Sequence, residues 1–251
     1  MARSAAARRI SARSSMPFSL AGSGAAGQAT FGDVFDKERT DAFSVSYWAL
    51  PRSASLTGGS LRKNLQSGNF RGWLTQVSAL KPEFALISAV AGSNYLHMQT
   101  TLPIRNGVWN HIVYTYDGTS APGGVKIYVN GVSVALTTLV NGLSATTLGG
   151  GAALTLGQTA AGTNIFVGLM THVRIHNVAL SQAQVDDLYY EGIAASVQAE
   201  WLMTDGSGTT LTASVGGVNG TITTPSWVAE APVKARAAAS ARAAAAARSA
   251  A

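Results

Sequence analysis

Apolar and polar side chains alternate along short stretches of the chain, and the clearest alternation lies within residues 109–131. Successive side chains of a β-strand point to opposite faces, so every second residue shares a face. The first run places Ile112, Tyr114 and Tyr116 on one face and His111, Val113 and Thr115 on the other. The second run places Val125, Ile127 and Val129 opposite Lys126 and Tyr128. The pattern therefore predicts two consecutive antiparallel strands.

A tight turn is predicted directly after the second run, at Asn130-Gly131. A type I′ turn requires positive φ at both central residues, and Asn and Gly adopt positive φ most readily. The strand beyond the turn is predicted over Val132–Leu136. We interpret Asn130 and Gly131 as a structural turn and not as a ligand site.

Similar alternation, bounded by Gly, Pro, Asn or Ser, predicts further strands on both sides of this hairpin. They are Phe43–Leu50, Ser60–Asn64, Gly72–Val77, Glu83–Val90, Tyr95–Thr100, Leu154–Gly157, Asn164–Leu169 and Val173–Asn177. One segment has helical spacing instead, with Ser181 as a candidate N-cap and an apolar face of Val185, Leu188 and Tyr189. A short helix near Ser181–Tyr190 is predicted, ending at Gly192.

Three linked motifs occur in order along the chain: W-x-H-I-V-x-T-Y-D-G from Trp109, K-I-Y-V-N-G from Lys126, and G-L-M-T-H-V-R-I-H-N-V-A-L-S from Gly168. Together they resemble the laminin-G-like, concanavalin A-like sandwich family, and the resemblance extends over Phe18–Val228. It implies an all-β fold, a two-sheet antiparallel jelly roll of the kind found in lectins, pentraxins and structural proteins. The segment Ala199–Val228 resembles a piece that in many members precedes the first strand, which implies a permuted order here.

Composition and length agree with one such domain. The chain has 251 residues, of which 47% are hydrophobic, 12% are charged and 27 are Gly. An all-β sandwich of this length commonly forms a single core, and the many Gly residues suit short strands joined by turns. There is no Cys, so no disulfide framework is expected. No apolar run approaches the length of a membrane span, and no membrane association is predicted.

Charge divides the chain into a body and two basic arms. The net charge is +6, but eight of the 18 basic residues lie in segments 1–15 and 234–251, which contain no acid. These residues are Arg3, Arg8, Arg9, Arg13, Lys234, Arg236, Arg242 and Arg248. The body, residues 16–233, keeps ten basic and all 12 acidic residues, a net charge of about −2. No secretory signal is recognised in the N-terminal arm, and we expect both arms to bind partners.

The candidate binding residues of the body are few. Asp33, Asp36 and Asp41 lie close together before a strand and are weak calcium candidates, because Ca²⁺ is bound by converging oxygen ligands. The alternative is a solvated charged loop, since the spacing matches no EF-hand. Trp73 and Tyr95 could line a platform for a sugar, although such rings are more often core residues. No metal or other cofactor is predicted beyond a possible calcium ion.

Catalysis is not expected. Glycoside hydrolysis requires two carboxyl groups about 5–9 Å apart, and no predicted strand carries two acids on one face. The family's E-x-D-x-x-E signature and the G-x-S-x-G motif are both absent. Asp186 and Asp187 are neighbours on a helix and point apart. His172 and His176 are separated by about 13 Å along a strand, too far to share one metal ion.

The sequence leaves two interpretations of the function open. The basic arms and the Ser/Thr/Gly-rich body favour a non-catalytic assembly subunit, such as a capsid-associated or decoration protein of a phage, located in a virion or another large assembly. Its arms would bind copies of the chain, other particle subunits or nucleic acid. The alternative is a carbohydrate-binding, lectin-like module, with or without calcium, that takes a glycan on the sandwich.

Overall fold

The strands of the chain form a two-layer antiparallel sandwich. The computed structural model describes residues 18–20, 27–157, 164–230 and 232. The strands are β1 Phe18–Leu20, β2 Gln28–Thr30, β3 Phe43–Pro51, β4 Thr57–Asn64, β5 Gly72–Ser78, β6 Lys81–Ala89, β7 Asn94–Thr100, β8 Asn110–Tyr116, β9 Val125–Val129, β10 Val132–Ser133, β11 Leu136–Asn141, β12 Thr155–Leu156, β13 Gly168–His176, β14 Val197–Trp201, β15 Thr210–Leu211 and β16 Gly220–Thr223. The predicted all-β jelly-roll class is confirmed.

Two sheets of different width make up the layers. The narrow sheet has seven strands in the order β1-β13-β3-β8-β9-β10, with β14 also paired to β13. The wide sheet has nine strands in the order β11-β7-β6-β5-β4-β12-β2-β16-β15. The C-terminal strand β16 pairs with β2 near the start of the chain. The C-terminal segment is therefore part of the sandwich, as the permuted order implies.

The core lies between the sheets and is built from the alternating residues of both. Ile112, Tyr114 and Tyr116 are fully buried in it, as the alternation predicts. The rings of Phe43 and Trp73 lie 5.5 Å apart between opposite sheets. The buried hydroxyl groups of Tyr47 and Tyr114 share a 2.8 Å hydrogen bond, so their polar atoms are satisfied inside the core.

The predicted helix forms and packs on the outer face of the narrow sheet. Helix α1 spans Gln182–Asp186 and continues as a π-helical turn over Asp187–Glu191. Ser181 accepts a hydrogen bond from the Gln184 amide, and the Gln184 side chain accepts one from the Ser181 amide, which completes a capping box. Val185 and Leu188 are buried against Val113 and Tyr128. This contact covers the side of the narrow sheet that faces away from the core.

Two strand predictions require correction. The predicted strand Val132–Leu136 is divided, because the chain leaves the narrow sheet after Ser133 and enters the wide sheet at Leu136. The two predicted strands Asn164–Leu169 and Val173–Asn177 are replaced by one bulged strand, β13, which begins only at Gly168 and ends at His176. At this bulge His172 and Val173 face the single residue Tyr47 of β3. The extra residue shifts the alternation, so Val173 joins the core.

The predicted turn at Asn130-Gly131 is present, with φ of 53° and 83° at the two residues. The Asn130 side chain also accepts a hydrogen bond from the His111 amide at 2.8 Å, which ties the turn to β8. A Cβ added to Gly131 would lie 3.0 Å from Cδ1 of Tyr189. The turn therefore requires Gly both for its backbone conformation and for the approach of the helical segment.

We expect Gly131→Val to lower the free energy of unfolding by about 1 kcal/mol or more, because it introduces both backbone strain and a clash. The measurement is urea unfolding of the full chain. Gly123→Val is the matched control, since a Cβ at Gly123 meets no atom within 4 Å. Equal stability of Gly131→Val and the parent would contradict the role of this turn.

Candidate functional site

The outer face of the wide sheet carries rows of side chains that run across the strands. Residues directly opposite each other on paired strands share a face. One such row crosses the whole sheet: Val140, His97, Ala85, Leu74, Arg62, Thr155, Thr30, Thr221 and Thr210. A neighbouring row contains Thr137, Gln99, Glu83, Gln76 and Gly59. Strand register thus brings polar groups from distant parts of the chain onto one surface.

Glu83 is the centre of a polar cluster on this face, formed with Gln76, Gln99 and His97 (the Glu83 cluster). The Glu83 side chain is only 5% exposed. Its carboxylate accepts hydrogen bonds from the side-chain amides of Gln76 and Gln99, both at 2.5 Å. Nε2 of His97 lies 3.1 Å from the same carboxylate. Three neighbouring strands therefore hold one buried carboxylate in place.

The Glu83 carboxylate is held in its ionised form. Burial by itself raises the pKa of Glu83, but hydrogen bonds from His97 and Gln76, the charge of His97 and a hydrogen bond from Gln99 outweigh it. The pKa of Glu83 consequently lies below its usual value. An ionised carboxylate only accepts hydrogen bonds. It therefore fixes which end of each neighbouring amide faces it.

The orientation of the two amides decides what the surface offers to a ligand. Gln76 and Gln99 both direct their NH₂ groups at Glu83, so each carbonyl oxygen is directed elsewhere. Tyr95 lies beside His97, with ring centroids 6.4 Å apart and ring planes inclined at 41°. The Tyr95 ring also packs against Leu74, Ala85 and Ile87, which form an apolar floor. The face thus combines an aromatic ring, an apolar floor and oriented acceptors.

The local sequence explains why these residues meet. In β6, Phe84 and Leu86 face the core while Glu83, Ala85 and Ile87 face outward. In β7, Leu96 and Met98 face the core while Tyr95, His97 and Gln99 face outward. Sequence reasoning placed these strands correctly but missed the Glu83 cluster. Alternation gave the face of each residue, and only the register showed that Gln76, Glu83 and Gln99 lie side by side.

The structure separates the three calcium candidates. Asp33 and Asp36 both contact the ammonium group of Lys63, which is fully buried and also donates to the carbonyl oxygen of Ala152. Asp41 instead accepts a hydrogen bond from the amide of Glu38 at 2.9 Å. Within the described part of the chain, no three His, Cys, Asp or Glu residues are grouped to hold a metal ion. Lys63 supplies the positive charge between Asp33 and Asp36.

The two aromatic platform candidates also separate. Trp73 is fully buried in the core and donates a hydrogen bond to the carbonyl oxygen of Phe35 at 2.9 Å. Tyr95 is half-buried on the outer face of the wide sheet. Of these two residues, only Tyr95 therefore has part of its side chain at the surface. The eight basic residues of the arms lie outside the described residues.

Comparison with known sequences identifies the family of this sandwich. The sequence profile of the concanavalin A-like lectin/glucanases superfamily (Laminin_G_3) matches residues 23–186, well over half of the chain. The chain belongs to this superfamily. A search of curated proteins found no match to this concanavalin A-like chain.

Solved structures show the same fold at low sequence identity. A putative carbohydrate binding protein from Bacteroides ovatus superposes with a TM-score of 0.60 and 16% identity over 87% of the concanavalin A-like chain. The match spans 61% of the Bacteroides protein, so that protein is considerably longer. A heptameric SAP-like pentraxin from Limulus polyphemus has a TM-score of 0.53 and 16% identity, covering 84% of this chain and 97% of the pentraxin.

No helix in the described residues is long and apolar enough to span a membrane.

Proposed function

We propose that the chain is a non-catalytic carbohydrate-binding module that takes a glycan on the outer face of the wide sheet. The observation that carries the proposal is the Glu83 cluster beside Tyr95. Sugars present apolar C–H faces and hydroxyl groups, which suit a flat aromatic ring next to fixed polar groups. Tyr95 offers the ring, and the amides of Gln76 and Gln99 offer carbonyl oxygens that accept hydrogen bonds from hydroxyl groups.

The state of Glu83 supports binding over hydrolysis. Glycoside hydrolysis requires a second carboxyl group across the scissile bond. Glu83 is the one carboxylate in the two rows described above, and its oxygens are engaged by Gln76, Gln99 and His97. A fold similar to that of this chain occurs in a protein described as a putative carbohydrate binding protein, from Bacteroides ovatus.

We expect Tyr95→Ala to weaken glycan binding about tenfold or more, because it removes the ring that covers one face of the sugar. The measurement is isothermal titration calorimetry of the full chain against neutral oligosaccharides: cellohexaose, maltohexaose, mannohexaose and xylohexaose. Tyr190→Ala, which removes a half-buried ring near the narrow sheet, is the matched control. Binding should be the same with and without a chelator, since Lys63 already neutralises Asp33 and Asp36. Equal affinity of Tyr95→Ala and the parent would contradict the site.

Assembly through the basic arms is a second candidate, favoured by one specific observation. Eight of the 18 basic residues are concentrated in residues 1–15 and 234–251, without a single acid. Such segments attract acidic partners at long range. We propose that these arms bind neighbouring copies, particle subunits or nucleic acid, independently of the glycan site.

We expect replacement of all eight arm Arg and Lys residues by Gln to abolish any large assembly that the full chain forms. Sedimentation velocity is the measurement, at low and at high salt, because charge-driven association weakens as salt screens it. Glycan binding should be unchanged in the same variant. Unchanged sedimentation would show that the arms do not drive assembly.

A further inference from the structure

Arg62 lies on the same outer face as the Glu83 cluster, two strands away from Ala85. In the row that crosses the sheet, Arg62 is opposite Leu74, which is opposite Ala85, which is opposite His97. Three strand spacings therefore separate Arg62 from His97, roughly 14 Å. The apolar residues Leu74 and Ala85 lie between them and are themselves buried.

The guanidinium group of Arg62 is buried and forms no ion pair with the residues that the structure describes. The residue is only 7% exposed. Its Nε donates a hydrogen bond to the side-chain oxygen of Asn64 at 3.2 Å, whereas Nη1 is buried and has no partner among the described residues. Several acids of the body are paired with other basic residues: Asp33 and Asp36 with Lys63, Glu83 with His97, and Glu200 with Arg174.

A buried cation of this kind is unfavourable unless an anion neutralises it. Burial lowers the pKa of Arg62 to about 10, so the group remains protonated at neutral pH. A buried charge is normally paired, because desolvation of the isolated ion costs free energy that its partner offsets. Lys63 and Arg174 follow this rule, whereas the buried Lys37, like Arg62, is hydrogen-bonded to a neutral side-chain oxygen, that of Gln198. Arg62 departs from it on the face where a ligand is proposed to bind.

We propose that the glycan bound by this face is acidic and that its carboxylate pairs with Arg62. This inference rests on the proposed glycan-binding function and adds the chemical class of the ligand. Since Nε is engaged by Asn64, Nη1 and Nη2 are the guanidinium nitrogens left for an anion, and the nearly buried side chain must shift outward to present them. A carboxylate fits that planar edge with two parallel hydrogen bonds.

The distance along the row adds a requirement on ligand length. Gln76 is on the strand next to Arg62, but Tyr95 and His97 are three strand spacings away, so a carboxylate at Arg62 and a ring stacked on Tyr95 do not belong to one sugar. The ligand is therefore an oligosaccharide that contains a sugar acid. Its carboxylated ring binds at Arg62, and a neighbouring ring extends across β5 and β6 towards Tyr95.

The test compares acidic oligosaccharides with their esters on the full chain. The probes are oligogalacturonate, oligoglucuronate and oligomannuronate, each titrated beside its own methyl ester in 0.15 M salt. The variants are Arg62→Gln, Tyr95→Ala and, as the control for total charge, Lys126→Gln. Lys126 is exposed on the narrow sheet, so its replacement removes the same charge far from the proposed site.

We expect the parent to bind at least one acid about tenfold or more tightly than its ester, because a hydrogen-bonded ion pair is lost in the ester. Arg62→Gln should bind acid and ester equally, Lys126→Gln should keep the preference, and Tyr95→Ala should weaken both ligands. If the parent binds esters or neutral oligosaccharides as tightly as every acid, the proposal of an acidic ligand is wrong and the proposed glycan-binding function stands. A parent that binds no oligosaccharide overturns both.

Thermal unfolding separates a binding role from a structural one. Because Arg62 is an unpaired buried charge, Arg62→Gln should unfold at a temperature equal to or above that of the parent. A marked fall in the unfolding temperature of Arg62→Gln would show that the residue stabilises the sandwich, and would overturn the assignment to a ligand.

Discussion

We expect the double variant Asp33→Asn, Asp36→Asn to unfold at a much lower denaturant concentration than the parent. The Lys63 side chain is fully buried, and both carboxylates contact its ammonium group. Replacement of both acids leaves the ammonium with the Ala152 carbonyl oxygen as its remaining described partner. A buried charge deprived of its partner typically destabilises a protein by about 3 kcal/mol or more.

A third substitution identifies the cause. Lys63→Met in the double variant removes the unpaired charge and keeps an unbranched side chain of similar length, so most of the lost stability should return. Lys63→Met alone should be milder than the double variant, because Asp33 and Asp36 are partly exposed and remain solvated. Guanidinium unfolding of all four proteins is the measurement. A double variant as stable as the parent would show that the ion pairs do not stabilise the fold.

Lowering the pH should reduce the free energy of unfolding of the parent more than that of the triple variant. The pKa of Asp33 lies below its usual value of 3.8. The largest cause is the hydrogen bond from Lys63, followed by the hydrogen bond from the Gly151 amide and the charge of Lys63. Because the pKa is lower in the folded protein, this stabilisation is fully present above pH 3.8 and is lost as the pH falls through the folded value. The triple variant, which lacks Lys63 and both acids, should lose less stability over that range.

Trp201→Ala is expected to have the other large effect on stability. Trp201 is fully buried, and its ring centroid lies 4.5 Å from that of Phe31. Its indole nitrogen donates a hydrogen bond to the carbonyl oxygen of Val218 at 2.8 Å. Removal of a buried Trp leaves a large cavity, so the free energy of unfolding should fall by about 3–5 kcal/mol.

This result would also test whether the C-terminal segment is part of the single core. Trp201 is in β14, and Phe31 follows β2 near the start of the chain, so the contact joins the two ends of the sandwich. Trp227→Ala is the matched control, because Trp227 is only half-buried, and its effect should be clearly smaller. Similar effects of the two substitutions would contradict an integral role for β14.

The alternation of side chains determined most of the secondary structure before any tertiary contact was considered. The faces assigned to Ile112, Tyr114 and Tyr116 are correct, and so is the turn at Asn130-Gly131. The cap at Ser181 is also correct. These features are local, since strand geometry, the φ preference of Gly and a capping hydroxyl depend on residues only a few positions apart.

Only the tertiary structure decided features that depend on contacts between distant residues. The turn between β5 and β6 uses Ala79 and Leu80 at φ of 48° and 61°, without any Asn or Gly signal. Leu80 is held there because its side chain is buried and its amide donates to the carbonyl oxygen of Leu56. Local preference is overridden when burial and a long-range hydrogen bond offset the backbone strain.

The candidate site belongs to the same class of features. Sequence alone placed Asp33 and Asp36 in a loop but could not show that Lys63 lies between them. It likewise gave no reason to join Gln76, Glu83 and Gln99, because strand register is fixed by the packing of the whole sheet. The alternation of side chains shows which face of the sheet a residue occupies. Which residues form ion pairs or hydrogen bonds with it is determined only when the strands pair.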